Sequence, residues 1–253
     1  MKAGIETDRL MSSSYPIVKV EELFHTFPDG TKALKGVSLE IRRGEFIVII
    51  GQNGSGKTTL VKHFNGLLKP TKGRTLIDSA DTRERTIADL STKVGYVFQN
   101  PDHQISKDTV EAELAFGPRN IGLSDFEIQR RVEEALRSVR IEHLAKRHPL
   151  LTSKGERQLI AIASVLTMKP EVVIVDEPTT GQDKRQARQT MNLLTDLNNE
   201  GHTIIVITHD MSLVAEYARR VLVFHDGRIV LDDCPKRIFR EVNTLRETGL
   251  RHR

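Results

Sequence analysis

The chain has 253 residues, of which 38% are hydrophobic and 28% charged, and its 38 basic and 34 acidic residues give a formal net charge of +4. This composition is typical of a globular protein with a buried core rather than of a disordered or membrane-spanning chain. The apolar runs fall far short of the roughly 20 residues that a membrane-spanning helix needs, and the single cysteine excludes an internal disulfide.

The N-terminal residues MKAGIETDRLMSSSYP mix charged and small side chains and lack the apolar segment of a secretory signal. We therefore expect residues 1–16 to form an extension of a cytoplasmic protein. Three strand-like stretches follow, IVKVEEL, VSLEI and EFIVII, separated by the turn sequences PDG and RRG. The third leads directly into the glycine-rich segment GQNGSGKTT.

The segment TTLVKHFNGLL, after the glycines, places Leu60, Phe64 and Leu67 at helical spacing, which predicts a helix that continues to Pro70. Residues 100–168 read as a helical insertion. Within it, Ser124 and Glu127 match a capping box, and a helix with an apolar stripe follows them.

An alternation of strands and helices resumes at EVVIVDE, residues 171–177. A helix that carries Ala187 and Leu194 and ends near Gly201 comes next, followed by the strand TIIVITH. This alternation predicts a parallel sheet. In RVLVFHDGRIVLDD, the Asp-Gly pair at 226–227 predicts a hairpin between two strands.

The glycine-rich segment fits the phosphate-loop pattern G-x-x-x-x-G-K-[ST]. Gly54 and Gly56 allow the backbone to turn its N–H groups toward phosphate oxygens. Lys57 can reach the terminal phosphates, and the Thr58 hydroxyl can ligate Mg²⁺. We therefore predict nucleotide binding by Gly51, Asn53, Gly54, Ser55, Gly56, Lys57, Thr58 and Thr59.

Polar side chains end three of the predicted strands. Asp176 follows VVIV and suits Mg²⁺, while Glu177 would face the other side of the strand and orient or deprotonate a water aimed at the γ-phosphate. Gln99 after VGYVF can contact Mg²⁺ and that water, and His209 after IIVIT can donate a hydrogen bond to the γ-phosphate. Taken singly, each is also typical of an ordinary loop start; together with a phosphate loop they predict a catalytic set of Lys57, Gln99, Glu177 and His209.

The order of these motifs, with TSKGERQ at 152–158 and Asp183, strongly resembles the nucleotide-binding subunit of ATP-binding cassette (ABC) transporters over about residues 17–240. The resemblance implies an α/β fold: a P-loop NTPase (RecA-like) core, an N-terminal antiparallel β portion and an inserted α-helical subdomain at about 100–168. It implies ATP and Mg²⁺ as cofactors. It further implies a dimer in which each ATP lies between the phosphate loop of one subunit and the signature motif of the other, with Phe27 stacked on adenine.

The signature motif departs from the family pattern. The usual L-S-G-G-Q appears here as Thr152, Ser153, Lys154, Gly155 and Glu156. By the resemblance, Ser153, Gly155, Glu156 and Asp183 belong to the nucleotide-binding set. Lys154 adds a cation, whereas Glu156 places a carboxylate where a neutral amide is usual, and the sequence leaves the net effect open. Both also fit the solvated end of a helix that Ser153 caps.

The segment VFQNPDHQ, residues 97–104, and the TVEAELAFGPRNIGL that follows look like the energy-coupling factor (ECF) group and its cobalt-uptake relatives. That resemblance implies an importer of a vitamin or transition-metal ion, with the chain at the cytoplasmic face of the membrane. Its partners would be an identical or related second ATPase, a transmembrane scaffold protein and a small substrate-binding membrane protein. The tail, residues 241–253, resembles a C-terminal helix that contributes dimer contacts, or is a solvated amphipathic helix.

Two other functions stay open at this stage. One is a soluble ABC ATPase that acts on nucleic acid or ribosomes, but the chain has a single cassette without coiled-coil heptads. The other is a small-molecule kinase on the same phosphate loop, which the full set of motifs disfavours. We therefore expect no nucleic-acid partner.

Overall fold

Ten strands run through residues 15–250, the part of the chain that the computed structural model describes. They are, in chain order, β1 (Val18–Thr26), β2 (Lys32–Ile41), β3 (Phe46–Gly51), β4 (Lys72–Ile77), β5 (Ala80–Asp81), β6 (Val94–Val97), β7 (Val172–Asp176), β8 (Thr203–Ile207), β9 (Arg220–His225) and β10 (Arg228–Asp233). Residues 1–14 of the predicted extension and 251–253 of the predicted tail lie outside the described part.

The strands form two sheets, one of four strands in the order β2-β1-β4-β5 and one of six in the order β10-β9-β3-β8-β7-β6. The smaller sheet is antiparallel; in the larger one only β10 is antiparallel to its neighbour. This confirms the predicted α/β core with an N-terminal antiparallel portion. Because parallel strands share one carboxyl edge, the glycine loop, Gln99, Glu177 and His209 all emerge on that edge.

The central strand β3 is buried on both faces, which explains its continuous apolar sequence. Ile47 and Ile49 pack into a core shared with the antiparallel sheet, while Phe46, Val48 and Ile50 pack into a second core on the opposite face. None of the five is more than 2% exposed. The glycine loop therefore starts from a strand that is fixed on both sides.

The described residues contain nine α-helices. They are α1 (Lys57–Phe64), α2 (Ile87–Ser91), α3 (Val110–Asn120), α4 (Asp125–Ser138), α5 (Lys154–Leu166), α6 (Lys184–Asn199), α7 (Met211–Tyr217), α8 (Pro235–Ile238) and α9 (Val242–Glu247). Helices α3, α4 and α5 lie between β6 and β7 in the chain and pack on one another through the core that contains Phe46. Within the described range, no helix has the length and apolar character needed to cross a membrane.

Helix α1 is shorter than predicted. It ends at Phe64 with Asn65 as its C-cap, and Gly66 takes a positive φ of 75°. A left-handed glycine just beyond a helix is a common stop, because the chain turns away there at no steric cost. Leu67 is consequently 42% exposed and does not extend the buried stripe of Leu60 and Phe64.

The helix predicted after Ser124 is α4, but only half of its capping box forms. The Ser124 hydroxyl accepts a hydrogen bond from the Glu127 amide at 3.4 Å. The Glu127 carboxylate does not return to the Ser124 amide; it accepts hydrogen bonds from Arg130 and Arg131. Two guanidinium groups one turn away compete successfully with the backbone, because hydrogen bonds between charged partners are the stronger ones.

The C-terminal segment forms two short helices, α8 and α9, where the sequence suggested one. Ile238 and Leu245, which are 1% and 2% exposed, pack into the core of the chain itself, whereas Val242 is 44% exposed. Much of the apolar stripe in the tail is therefore used within the chain. Its contribution to dimer contacts stays a prediction.

The predicted hairpin at residues 226–227 is confirmed. Strands β9 and β10 pair antiparallel, with His225 opposite Arg228. Asp226 and Gly227 both have positive φ, 45° and 74°, as a two-residue type I′ turn requires.

Candidate functional site

The phosphate loop joins the end of β3 to the start of α1, as the sequence predicts. Gly54 and Gly56 both have left-handed φ angles, 78° and 110°. A Cβ atom on Gly56 would lie 2.6 Å from the carbonyl oxygen of Ala33, so only glycine fits there. The loop is therefore fixed by its neighbours as well as by its own turns.

Lys57 folds back over the loop that precedes it. Its Nζ donates hydrogen bonds to the carbonyl oxygens of Gly51 and Gln52 at 2.7 and 2.8 Å. Burial lowers the pKa of Lys57, and the nearby carboxylates of Glu177 and Asp176 act in the opposite direction. The ammonium is thus held at the loop by two carbonyl groups that an incoming phosphate would replace.

One cavity of about 430 Å³ brings together most of the predicted nucleotide and metal residues. Those that line it are Phe27, Asn53, Gly54, Ser55, Gly56, Lys57, Thr58, Thr59, Gln99, Asp176 and Glu177. Gly51 is represented by the carbonyl that Lys57 contacts. The phosphate loop, the acid pair and Gln99 therefore share a single space at the carboxyl edge of the sheet.

Asp176 is the hydrogen-bond acceptor at the base of this cavity. Its Oδ2 accepts from the Thr58 hydroxyl at 2.7 Å and from the Tyr96 hydroxyl at 2.9 Å. Burial, with the charge of Asp176 as a second cause, raises the pKa of Tyr96, so this phenol stays protonated and donates. A carboxylate and a hydroxyl oxygen side by side suit Mg²⁺, which is usually held by few protein ligands together with phosphate oxygens.

Tyr96 was missed by the sequence reasoning. It lies in β6 opposite Ile174 of β7, the strand that ends at Asp176. An aromatic residue with a polar tip inside a buried strand was the available signal, since a buried hydroxyl needs a partner. No cluster of three or more His, Cys, Asp or Glu side chains suited to a metal occurs between residues 15 and 250.

Glu177 differs from its prediction in one respect. Strand β7 ends at Asp176, and Glu177 lies beyond it with a left-handed φ of 49°. The simple alternation of a strand therefore does not apply, and both carboxyl groups line the same cavity. A side-chain-bearing residue in this conformation is uncommon and often marks a functional position.

His209 contacts Glu177 directly, with its Nδ1 2.9 Å from one carboxylate oxygen. The Thr180 hydroxyl donates to the same carboxylate at 3.3 Å. Glu177 is 8% exposed, whereas the His209 side chain is 67% exposed and reaches the solvent side of the site. Glu177 is thus a buried carboxylate with two polar neighbours. His209 does not line the nucleotide cavity, so its predicted hydrogen bond to the γ-phosphate stays a prediction.

Phe27 stands at the opposite rim of the cavity, just after β1. The ring of His25 meets it edge to face at a centroid distance of 4.7 Å, and the ring of His63 meets His25 at 4.8 Å. His63 Nδ1 lies 2.8 Å from the Thr59 carbonyl oxygen, and its Nε2 lies 3.2 Å from His25 Nδ1. These rings link Phe27 to the phosphate-loop helix, and the sequence reasoning did not identify them.

The histidine pair is uncharged at His63, because burial lowers the pKa of His63 to about 4. A carbonyl oxygen can only accept, so His63 Nδ1 donates to the Thr59 carbonyl. His25 Nδ1 lies 3.2 Å from both the Lys69 carbonyl oxygen and His63 Nε2, and its N–H is shared between these two acceptors. The two rings connect Phe27 to helix α1 through edge-to-face contacts.

Ser153, Gly155 and Glu156 line a separate cavity of about 360 Å³ between α5 and α6. Asp183 is the N-cap of α6 and accepts a hydrogen bond from the Gln186 amide at 2.8 Å. Within one chain, the structure does not bring these four residues to the phosphate loop. Their assignment to the nucleotide site depends on a second subunit and stays a prediction.

Gln104, in the NPDHQ segment, connects the loop that carries Gln99 to helix α5. Its Oε1 accepts from the Phe98 amide at 3.2 Å, and its Nε2 donates to the Ala161 carbonyl and the Ser164 hydroxyl, both at 3.0 Å. Ser153 is the N-cap of the same helix. The side-chain amide of Gln104 therefore connects the Gln99 loop by hydrogen bonds to the helix that begins after Ser153.

Comparison with known proteins agrees with this geometry. Residues 34–180 match the family model described as ABC transporter. The energy-coupling factor transporter ATP-binding protein EcfA of Methanocaldococcus jannaschii is 44% identical over 237 residues, which cover 93% of this chain and 85% of that protein. A relative from Caldanaerobacter subterraneus, named as an ABC transporter ATP-binding protein, is 48% identical over 97% of this chain, but the chain spans only 43% of its length.

Solved structures give the same result. The chain superimposes on cbiO1 from Clostridium perfringens, described as part of the ABC transporter complex cbiONQ, with a TM-score of 0.83, 42% identity and coverage of 94% of this chain and 96% of that one. A dimeric ATP-binding cassette bound to ADP and Pi matches with a TM-score of 0.77 at 31% identity, over 86% of this chain and 98% of that one. On the family model and on relatives more than 40% identical, this chain belongs to the ABC transporter family of ATP-binding cassette ATPases.

Proposed function

We propose that this chain is the ATP-binding subunit of an ECF-type importer, which hydrolyses ATP in a head-to-tail dimer and drives uptake of a vitamin or transition-metal ion. The observation that carries the chemistry is the convergence of Lys57, Gln99, Asp176 and Glu177 on one cavity, with His209 on the Glu177 carboxylate. The likeness to EcfA and cbiO1 supports the importer type.

Binding of the triphosphate follows from the loop. Backbone N–H groups between Gly51 and Thr58 and the N-terminus of α1 face a polyanion, and the Lys57 ammonium exchanges its two carbonyl partners for terminal phosphate oxygens. Thr58, Asp176 and Gln99 would hold Mg²⁺, which neutralises charge on the phosphates when bound. Asn53, Ser55 and Thr59 complete the lining of the same pocket.

Hydrolysis needs a base beside the γ-phosphate. The Glu177 carboxylate accepts a proton from a water molecule as that water attacks the γ-phosphorus, and the bond to the β-phosphate oxygen breaks to leave ADP and phosphate. His209 and Thr180 contact this carboxylate and restrain its position. Gln104 connects the loop that carries Gln99 to helix α5 by hydrogen bonds. A movement of Gln99 on contact with the γ-phosphate would therefore also move α5.

A groove lined by exposed apolar side chains lies close to the loop that carries Gln99. Leu67, Ile87 and Phe116 are 42%, 54% and 43% exposed, and all three line a cavity of about 290 Å³ next to Phe98. Exposed apolar side chains grouped around a groove are typical of a protein interface. We propose that a segment of the transmembrane scaffold packs here, which places the chain at the cytoplasmic face of the membrane as a peripheral subunit.

Substitution of this groove should separate ATP hydrolysis from partner binding. We expect the Ile87→Glu and Phe116→Glu variants to lose copurification with membrane proteins by at least about tenfold, because each buries a charge in the interface. In the absence of membrane partners, both variants should hydrolyse ATP at close to the rate of the unmodified chain. Phe126→Glu is a matched control, since Phe126 is 81% exposed and lies outside the groove. Equal recovery of partners with all three variants would contradict the assignment.

The proposed stacking of adenine on Phe27 makes a second prediction. Stacking of a base on an aromatic ring is worth about 1–3 kcal/mol, so Phe27→Ala should weaken ATP binding by roughly 5- to 150-fold. Phe27→Tyr should bind ATP normally, and neither change should affect the binding of inorganic triphosphate. Titration calorimetry with both ligands measures this; an equal loss for ATP and inorganic triphosphate would show damage to the phosphate loop instead.

The importer function is tested by purifying a tagged Glu177→Gln variant from gently solubilised membranes of its host with ATP present. A multi-span scaffold protein, a small substrate-binding membrane protein and an identical or related second ATPase are expected. Recovery only from the soluble fraction, with nucleic acid or ribosomal proteins attached, would overturn the importer role. Transfer of labelled phosphate to a metabolite would establish a kinase in its place.

A further inference from the structure

The turn of the β9–β10 hairpin contacts the phosphate loop, although the turn does not line the nucleotide cavity. The Gly227 amide donates a hydrogen bond to the Ser55 carbonyl oxygen at 2.9 Å. The strand that leads into the turn lies beside the loop as well, since Phe224 of β9 pairs with Gly51 at the end of β3. The hairpin therefore contacts both the beginning and the middle of the loop.

The hydrogen bond from Gly227 determines which way one peptide group of the loop faces. The carbonyl of Ser55 and the N–H of Gly56 belong to the same planar peptide, and in a trans peptide these two groups point in opposite directions. With the carbonyl directed at the hairpin, the Gly56 N–H is directed away from it, and Gly56 lines the nucleotide cavity. This orientation presents the N–H to a phosphate oxygen, as anion binding by a glycine-rich loop requires.

Strand β2 holds the turn in place. The Lys35 amide donates to the Gly227 carbonyl oxygen at 2.9 Å, and the Lys35 ammonium pairs with the Asp226 carboxylate at 2.5 Å. A Cβ atom on Gly227 would lie 2.8 Å from the carbonyl oxygen of Ala33, so the turn and β2 are in close contact. The same carbonyl oxygen leaves room only for glycine at position 56. The turn, β2 and the phosphate loop therefore meet at one point.

We propose that the Asp226–Gly227 turn is a positioning element for nucleotide binding and that Lys35 is the residue that holds it in place. The inference rests on the proposed binding of ATP at the phosphate loop. The turn acts through the peptide between Ser55 and Gly56 and does not touch the nucleotide. Its disruption therefore weakens the binding of the phosphate chain and leaves the recognition of the base unchanged.

Gly227→Ala tests the proposal, with Gly44→Ala as its matched control. Both glycines have a φ of 74°, so alanine is similarly strained at either position, but only at Gly227 does the added Cβ meet another segment. We expect Gly227→Ala to weaken the binding of ATP and of inorganic triphosphate alike by about tenfold, because a hydrogen bond from a backbone N–H to a charged phosphate is a strong one. Gly44→Ala should bind both ligands normally. Titration calorimetry measures the affinities.

Lys35→Met provides a second test that involves no glycine. Methionine cannot pair with Asp226, and we expect roughly two- to fivefold weaker binding of both ligands, the range that corresponds to a surface ion pair. Combining it with Asp226→Asn should weaken binding no further, because both changes remove the same contact. Lys19→Met is the control, since it removes ion pairs with Glu21 and Glu40 outside the hairpin and the nucleotide cavity.

Thermal unfolding without nucleotide separates positioning from stability. A purely structural role would lower the unfolding temperature of the Gly227→Ala variant and leave the ligand affinity of the folded chain unchanged. Where Gly227→Ala prevents folding, the Lys35→Met measurement decides alone.

The remaining outcomes distinguish the turn from the site that it supports. Normal affinity for both ligands in the Gly227→Ala and Lys35→Met variants would overturn the role of the turn and leave the proposed function standing. Equal losses with Gly227→Ala and Gly44→Ala would also overturn it, because strained alanine would then act at either position. Failure of the unmodified chain to bind ATP would overturn the proposed function itself.

Discussion

Replacement of Glu177 by glutamine is expected to lower the rate of ATP hydrolysis by about two to four orders of magnitude while ATP binding is retained. A positioned general base contributes a rate factor of this size, and glutamine keeps the shape of the side chain but cannot accept the proton from water. Glu177 is 8% exposed, lines the cavity and contacts His209 and Thr180, so a carboxylate from solution cannot take its place. Steady-state phosphate release and equilibrium ATP binding measure the two quantities separately.

The control for this change is Glu200→Gln, which neutralises an exposed carboxylate at the end of α6, outside the cavity. It should hydrolyse ATP at the rate of the unmodified chain. The Glu177 variant should also accumulate as an ATP-bound dimer, because the step that opens the dimer is lost. Hydrolysis by this variant at near the normal rate would remove Glu177 from the mechanism and leave the base unassigned.

The sheet edge at which the site forms could be predicted because its causes are local. The run Phe46 to Ile50 is apolar throughout, as a strand buried on both faces requires, and the glycines after it read as a phosphate loop without reference to the rest of the chain. Strand ends followed by Gln99, Asp176 and His209 then converge by the geometry of parallel sheets. The approximate position of each side chain follows from these rules alone.

Contacts between distant segments were not predictable in this way. Tyr96 on β6 contacts Asp176 on the neighbouring strand β7, 80 positions along the chain. His63 contacts His25, 38 positions away, and the His25 ring in turn meets Phe27. The first contact depends on the pairing of β6 with β7 in the larger sheet, and the second on the packing of the antiparallel sheet against α1. No local sequence pattern records either of them. Glu177 failed the alternation rule for a related reason, since its left-handed backbone places it beyond the strand.

The signature segment shows the limit most clearly. The residue types at 154 and 156 gave a cation and an anion whose effects oppose each other. The structure shows where both side chains lie: the Glu156 carboxylate accepts a hydrogen bond from the Ser153 amide, and the Lys154 ammonium lies against Gly181. Capping is a local rule, but the competing position of a long, flexible lysine side chain is a tertiary property.

Replacement of Lys57 by alanine is expected to weaken ATP binding by about 30- to several thousandfold. At the upper end of this range, no binding would be detected at millimolar ATP. Removing one partner of a desolvated charge pair costs about 2–5 kcal/mol, and the triphosphate would lose the cation that the loop holds in place. Without nucleotide, the stability of the folded chain should change little. The variant loses the two hydrogen bonds that Lys57 donates, but it also loses the free-energy penalty of burying a charged amine.

Titration calorimetry with ATP, and thermal unfolding with and without ATP, check both parts of this expectation. Lys62→Ala is the matched control, since Lys62 lies on the same helix α1 but does not line the nucleotide cavity. The Lys57 variant should unfold at the temperature of the unmodified chain and gain no stability from ATP, whereas the control should gain it in full. Lys57→Ala removes ATP binding, whereas Glu177→Gln removes only ATP hydrolysis. If membrane partners copurify with the Glu177→Gln variant but not with the Lys57→Ala variant, then ATP binding, before any hydrolysis, holds the assembly together.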